Sequence, residues 1–183
     1  MTYNRAVNGQ VSLKFEKLEN PRMIVYTDAS LGNGATGNTQ GGFLIGLHDK
    51  ENFTPLAWCS RKLRRVARST LAAETLAMVD SIDSAVFSAS LFTELMTGLI
   101  QTETLHITLV TDCKSLHDNL GSGKAVIEKR LRIEMAAIKE ALERKIVNEV
   151  VWVSTENQLA DALTKKGASP LRLLSALEKG KLQ

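Results

Sequence analysis

The chain has 183 residues, 44% hydrophobic and 23% charged, with a net charge of +3. That length carries one domain with a substantial core, and the ordinary composition excludes a fibrous or low-complexity chain. No apolar run approaches the length of a membrane span, so no membrane role is expected.

Two cysteines, Cys59 and Cys113, exclude a disulfide framework and a cysteine-rich zinc site. A reducing, intracellular setting is the simplest reading. The polar start MTYNRAVNGQ is unlike a signal peptide.

In chain order, VSLKFEKL at 11–18 alternates Val11, Leu13 and Phe15 with polar residues, which predicts a strand. ENPR breaks it. MIVYTDAS is a second run of β-formers, ending at Asp28. After a glycine-rich turn, QGGFLIGLHD and TPLAWCS predict two more strands and an antiparallel meander. The pair Gly41–Gly42 inside a strand marks close backbone approach or a bulge.

From Ser69 the period changes. Leu71, Met78, Ala85, Phe92 and Leu99 recur every seven residues, with Thr75, Ile82, Ala89 and Met96 between them, which predicts a long amphipathic helix. Glu74 lies beside that seam near its start. LHITLVTD is a buried-looking strand ending at Asp112. KSLHDNLGSG predicts a short helix closed by Gly121. Residues 124–145 predict another amphipathic helix, its charges interleaved as intrahelical pairs. NEVVWVS is the last strand. Thr155 and Gln158 read as a capping box for a helix carrying Asp161, which stops at KKG. Ser169–Pro170 starts a final helix closed near Gly180. Three strands in a meander, then strands alternating with helices, predict an α/β fold: a five-stranded mixed sheet with helices on its faces.

Four acids stand at element ends: Asp28, Glu74, Asp112 and Asp161. If the strands ending in Asp28 and Asp112 are parallel neighbours, their carboxylates lie side by side, and helices on the sheet add the other two. Four like charges cannot share a small space without a counter-charge. Hard divalent cations, Mg²⁺ or Mn²⁺, supply it. Two such ions about 4 Å apart can cleave a phosphodiester. Each acid taken singly is as readily a turn former or a helix-dipole partner; it is the four together that point to metal chemistry.

The blocks YTDAS, RSTLAAETLAM, LVTDCKSL and VVWVSTENQLADALTKKG resemble the ribonuclease H domain of copia-type LTR retrotransposon polyproteins. The resemblance spans roughly residues 20–180. It implies a ribonuclease-H-like fold over 21–183. Residues 1–20 become a junction with an upstream reverse transcriptase domain, its partner in the polyprotein. It further implies hydrolysis of the RNA strand of an RNA–DNA hybrid by two Mg²⁺ ions, with Mn²⁺ as a substitute, in the cytoplasm within virus-like particles. Asp28 would bridge both ions. Glu74 and Asp112 would complete the site of the leaving-group ion, and Asp161 would hold the other. One departure stands out. Relatives often carry a histidine in a loop before the last acid, whereas STENQLAD has none. Either the ions suffice, Glu156 substitutes, or turnover is slow.

The run SRKLRRVARST places Arg61, Lys62, Arg64, Arg65 and Arg68 before the long helix, a basic cluster suited to phosphates or simply a solvated face. A helix start offers hydroxyls and free N–H groups to a phosphate, and the resemblance places Arg68, Ser69 and Thr70 on the DNA strand, with Arg65 of the basic run as a further nucleic-acid-binding candidate. Ser30, Asn33 and Ser115 either touch the hybrid's minor groove, where 2′-hydroxyls distinguish RNA, or only shape turns. Trp58 and Trp152 are expected in the core. Two readings compete with the nuclease: a catalytically silent nucleic-acid-binding or polymerase-tethering domain of the same fold, and an integrase or resolvase on that fold. The order Asp–Glu–Asp–Asp favours the nuclease over the integrase.

Overall fold

The computed structural model describes residues 11–32, 38–99, 105–122 and 129–182. Five strands form one sheet in the order β3-β2-β1-β4-β5. They are β1 (Arg22–Ser30), β2 (Gln40–Asp49), β3 (Asn52–Lys62), β4 (Ile107–Thr111) and β5 (Glu149–Trp152). β1 to β3 make the antiparallel meander, while β4 and β5 add in parallel. The helices are α1 (Thr70–Thr97), α2 (Lys114–Gly121), α3 (Arg132–Glu143), α4 (Asp161–Thr164) and α5 (Leu171–Lys179).

Strand alternation divides the sheet between two cores. Met23, Val25, Ile45, Ile107 and Leu109 pack with Met78 and Ile82 of α1 and with Met135 and Ile138 of α3. Ile24, Tyr26, Leu44 and Val110 pack on the other face with Leu159, Ala160, Ala176 and Leu177. β1 is buried along nearly its whole length because both faces are covered. Asp28 continues the series of Ile24 and Tyr26, so its strand aims it toward the segment that carries Asp161.

The long helix starts where expected. Ser69 caps it, its Oγ accepting the N–H of Ala72 at 3.1 Å, and Gly98 closes it in the left-handed region at φ 68°. Its length and composition meet the criterion for a membrane span, contrary to the sequence reading. Its first half nevertheless packs on the sheet and carries the buried Glu74. The seven-residue seam stays buried only as far as Ala89; Met96 and Leu99 are exposed, because the helix runs on past the sheet that would cover them.

Other expectations need correction. Residues 11–18 form no strand. They are tied by isolated hydrogen bonds, Lys14 N–H to Leu177 O at 2.9 Å and Glu16 N–H to Thr54 Oγ1 at 3.2 Å. Phe15 stays 64% exposed, so the alternation there reflects no buried face. Within the helix expected over 124–145, Lys129–Leu131 is a 3-10 turn that leads into α3; residues 124–128 lie outside the described residues. Trp58 and Trp152 are not core residues; they are 57% and 42% exposed on edge strands. Trp152 instead donates its Nε1–H to Asp112 O at 3.0 Å, with the Lys114 ammonium 5.3 Å from its ring centroid.

Gly41–Gly42 is a site of close approach, and the bulge of this hairpin lies further on, between Ile45 and Gly46. Gly42 faces Asp28 across the β1–β2 ladder. A Cβ there would meet Thr164 Cγ2 at 2.9 Å, Cys59 O at 3.0 Å and Leu163 Cβ at 3.1 Å. α4 therefore lies directly over the strand at a point where only glycine fits. Gly42→Ala is expected to lower stability by roughly 1–3 kcal/mol and to shift α4 relative to Asp28. Urea denaturation checks the first effect, and an unchanged midpoint contradicts it.

Candidate active site

The parallel register of β1 and β4 runs from Met23↔Ile107 to Tyr26↔Val110. Continued two residues further, it sets Asp28 across from Asp112. α4 adds Asp161 as its first residue. One carboxylate oxygen from each of Asp28, Asp112 and Asp161 lies within 4.8 Å of the others. Glu74 is not in that group, but it senses the charges of Asp28 and Asp112.

Burial decides the electrostatics. Asp28 is fully buried and Glu74 is 4% exposed. Burial, opposed by the Thr164 hydrogen bond and Lys165 and reinforced by Asp112 and Asp161, pushes the Asp28 carboxyl up to about 6. Burial, then the charges of Asp28 and Asp112, pushes Glu74 up to about 9 despite a hydrogen bond from Ala29 N–H. Glu74 Oε2 is buried with no hydrogen-bond partner. A buried oxygen left unpaired is costly, and a hard cation beside it would satisfy it. The donor set is all carboxylate oxygen, which suits Mg²⁺ or Mn²⁺. The residues present therefore fit divalent ions.

Four supporting residues were missed or misread in the sequence. Thr164 donates its hydroxyl to Asp28 Oδ2. Thr155 donates its hydroxyl to Asp112 Oδ2 at 2.8 Å. The Lys165 ammonium pairs with Asp161 and lies 3.3 Å from Asp28 Oδ1. Burial pulls Lys165 down, but the hydrogen bond to Asp161 and the charges of Asp28, Asp161 and Asp112 outweigh it and hold the ammonium above its ordinary range. Gln158 forms no capping box. Thr155–Asn157 is a separate 3-10 turn, and Gln158 is buried, its Nε2–H donating to Thr27 O at 3.0 Å and its Oε1 accepting Ala160 N–H at 3.2 Å. It anchors the segment before Asp161 to β1. The pattern T-x-x-Q was a visible signal for the wrong bond; nothing local pointed to Thr27.

The expected nucleic-acid contacts fare unevenly. Ser30 is 2% exposed and donates its hydroxyl to Thr164 O at 2.8 Å, so it braces α4 and does not face a groove. Asn33 lies outside the described residues. Arg68, Thr70 and Ser115 are exposed, and Ser115 Oγ lies 3.3 Å from Cys113 Sγ. Ser69 uses its hydroxyl as the helix cap. Arg65 pairs with the buried Glu134 of α3, and Arg61 pairs with Asp80 at 2.9 Å. Part of the basic run thus braces α1 and α3. Of the intrahelical pairs expected there, Arg144 at the end of α3 pairs with Glu140 at 3.1 Å.

Arg65→Ala leaves Glu134 buried and unpaired, and is expected to cost roughly 1–2 kcal/mol. Adding Glu134→Gln should recover most of it. Denaturation of the two variants checks this, and equal losses contradict a role for the pair.

No protein-family model matches the chain, and no curated protein matches it at a significant level. Solved structures do match. LC11-RNase H1, isolated from compost by a metagenomic approach, superposes with a TM-score of 0.56 at 17% identity, covering 79% of this chain and 93% of that one. The N-terminal RNase H domain of a Mycobacterium tuberculosis protein gives 0.55 at 19% identity, covering 79% and 91%. The foamy viral protease-reverse transcriptase, solved in complex with RNA/DNA hybrid, gives 0.55 at 15% identity, covering 86% of this chain and 22% of that longer one. The chain thus has a ribonuclease-H-like fold, with Asp28, Asp112 and Asp161 gathered into a candidate metal-binding cluster.

Proposed function

We propose that this protein is an endoribonuclease that hydrolyses the RNA strand of RNA–DNA hybrids, using two divalent ions held by Asp28, Glu74, Asp112 and Asp161. The observation that carries the reading is the convergence of three carboxylate oxygens within 4.8 Å, beside a buried Glu74 oxygen without a partner, on a ribonuclease-H-like sheet. LC11-RNase H1 has also been solved in complex with RNA/DNA hybrid, with a TM-score of 0.53 to this chain.

The protein's own residues hold this arrangement in place. Asp28 would be the central ligand, and Thr164 fixes its carboxylate. Asp112 is fixed by Thr155. Asp161 rides on α4, which Gln158, Ser30 and Ser60 tie to the sheet. When bound, divalent ions lower the pKa of an attacking water and neutralise charge on the leaving oxygen. Arg68, Thr70 and Ser115 are the exposed candidates for the hybrid; Arg65 and Ser69 can join only while keeping their internal bonds. The setting that best fits the four sequence blocks is a copia-type retrotransposon polyprotein. There a reverse transcriptase domain precedes this one and the activity runs in cytoplasmic virus-like particles.

A substrate panel tests the reading. With Mg²⁺ or Mn²⁺ the protein should cut the RNA of a hybrid and leave double-stranded DNA, double-stranded RNA and single-stranded RNA intact. Binding of the hybrid without cleavage by either ion would favour the silent tethering domain.

A further inference from the structure

The acid cluster already contains a cation of the protein's own. Lys165 follows Asp161 by one helical turn, and its backbone N–H closes α4 on Asp161 O at 3.0 Å. Its ammonium reaches back over that turn to Asp161 Oδ1 and to Asp28 Oδ1, 3.3 Å away. Among the described residues, Asp28 and Asp161 have ion pairs with Lys165 alone. Both Asp28 oxygens are then engaged, Oδ1 by Lys165 and Oδ2 by Thr164. The Lys165 side chain is still 32% exposed, so it has a way out to solvent that breaks no core packing.

We infer that the Lys165 ammonium is the resident counter-cation of the ion-free site, and that a divalent ion must displace it from between Asp28 and Asp161. The inference rests on the reading of the cluster as a metal centre. Two cations cannot share those oxygens at close range, since like charges repel strongly where burial keeps the dielectric low. Lys165 therefore has two opposite effects. It offsets carboxylate repulsion when no ion is bound, and it weakens ion binding by competing for the same oxygens. It is a positioning residue, and its removal should separate stability from ion affinity.

The test titrates Mn²⁺ into wild type, Lys165→Met and Lys165→Arg by calorimetry, with melting recorded in chelator. Lys165→Met should bind the ion about tenfold more tightly than wild type and melt lower in chelator. Lys165→Arg, which keeps the charge, should stay near wild type. Should Lys165→Met not fold without ions, a second measurement on wild type serves. The ammonium ¹⁵N signal of Lys165, assigned by its loss in Lys165→Arg, should be visible in chelator and lose its protection when Mg²⁺ is added. Unchanged or weaker binding by Lys165→Met, or a signal that persists with bound Mg²⁺, overturns the inference and leaves the metal centre standing. Absence of ion binding by every variant overturns both.

Discussion

Glu74→Gln should raise the stability of the ion-free protein by roughly 3 kcal/mol at pH 7, and by almost nothing at pH 4. The Glu74 carboxyl is pushed from its ordinary 4.5 up to about 9, by burial first and then by Asp28 and Asp112. Below pH 4.5 the folded and unfolded chains both hold the proton, and burial of the neutral acid carries no ionisation penalty. Between pH 4.5 and 9 the unfolded chain has released a proton that the folded chain keeps. Stability therefore falls as pH rises, by about 1.4 kcal/mol per pH unit. Glutamine has nothing to titrate, so its advantage grows across that window. Urea denaturation of both proteins in chelator at pH 4 and pH 7 measures it. A gain independent of pH, or a loss at pH 7, contradicts the placement of Glu74. The same substitution should lower hybrid cleavage by roughly 10²-fold or more, since a lost ion ligand is worth several kcal/mol of charge stabilisation. A variant that is more stable and less active is the expected signature of an acid kept for an ion.

Asp28→Asn should abolish cleavage, with a loss of roughly 10³-fold or more, while circular dichroism shows the fold intact. Asp28 sits at the end of a strand buried on both faces, touching Thr164 and Lys165 and sensing Asp112 and Asp161. Asparagine keeps the shape and can still accept from Thr164, but it removes the charge shared by every neighbour in the cluster. Thr164→Val separates charge from positioning. It leaves the carboxylate and removes the hydroxyl that aims it, so a smaller loss of about 10- to 100-fold is expected. A loss below tenfold for Asp28→Asn would remove Asp28 from the centre of the site.

The parts of the site legible in the sequence are those carried by local pattern. Short apolar runs ending in Asp28 and Asp112 marked the strand ends, and the switch to a seven-residue seam marked the helix bearing Glu74. Gly41–Gly42 signalled close approach without showing what approaches; α4 is the answer. What failed was long-range or depended on which face is covered. Gln158 has a local capping role available in the pattern, yet its amide reaches Thr27 in β1. Thr164 and Lys165 looked like an ordinary helix end, because nothing nearby in sequence tells that Asp28 lies beneath them. Arg65 gave no local sign of its pairing with Glu134, which lies far along the chain in α3. Ser30 follows Asp28 by two residues and so shares its buried face, which strand alternation could have shown. Trp58 and Trp152 were taken for core residues because apolar character alone does not reveal that β3 and β5 are the sheet edges.

If the converged carboxylates make an ion-dependent nuclease for hybrids, cleavage must depend on both the ion and the acids. The most direct measurement is cleavage of an RNA–DNA hybrid, labelled at the RNA end, by wild type and Asp112→Asn with Mg²⁺ and with Mn²⁺. Such a nuclease should give RNA products bearing 5′-phosphate and 3′-hydroxyl ends from wild type, none in chelator, and none from a folded Asp112→Asn. Equal cleavage by the two proteins, or persistence of cleavage in chelator, would contradict it.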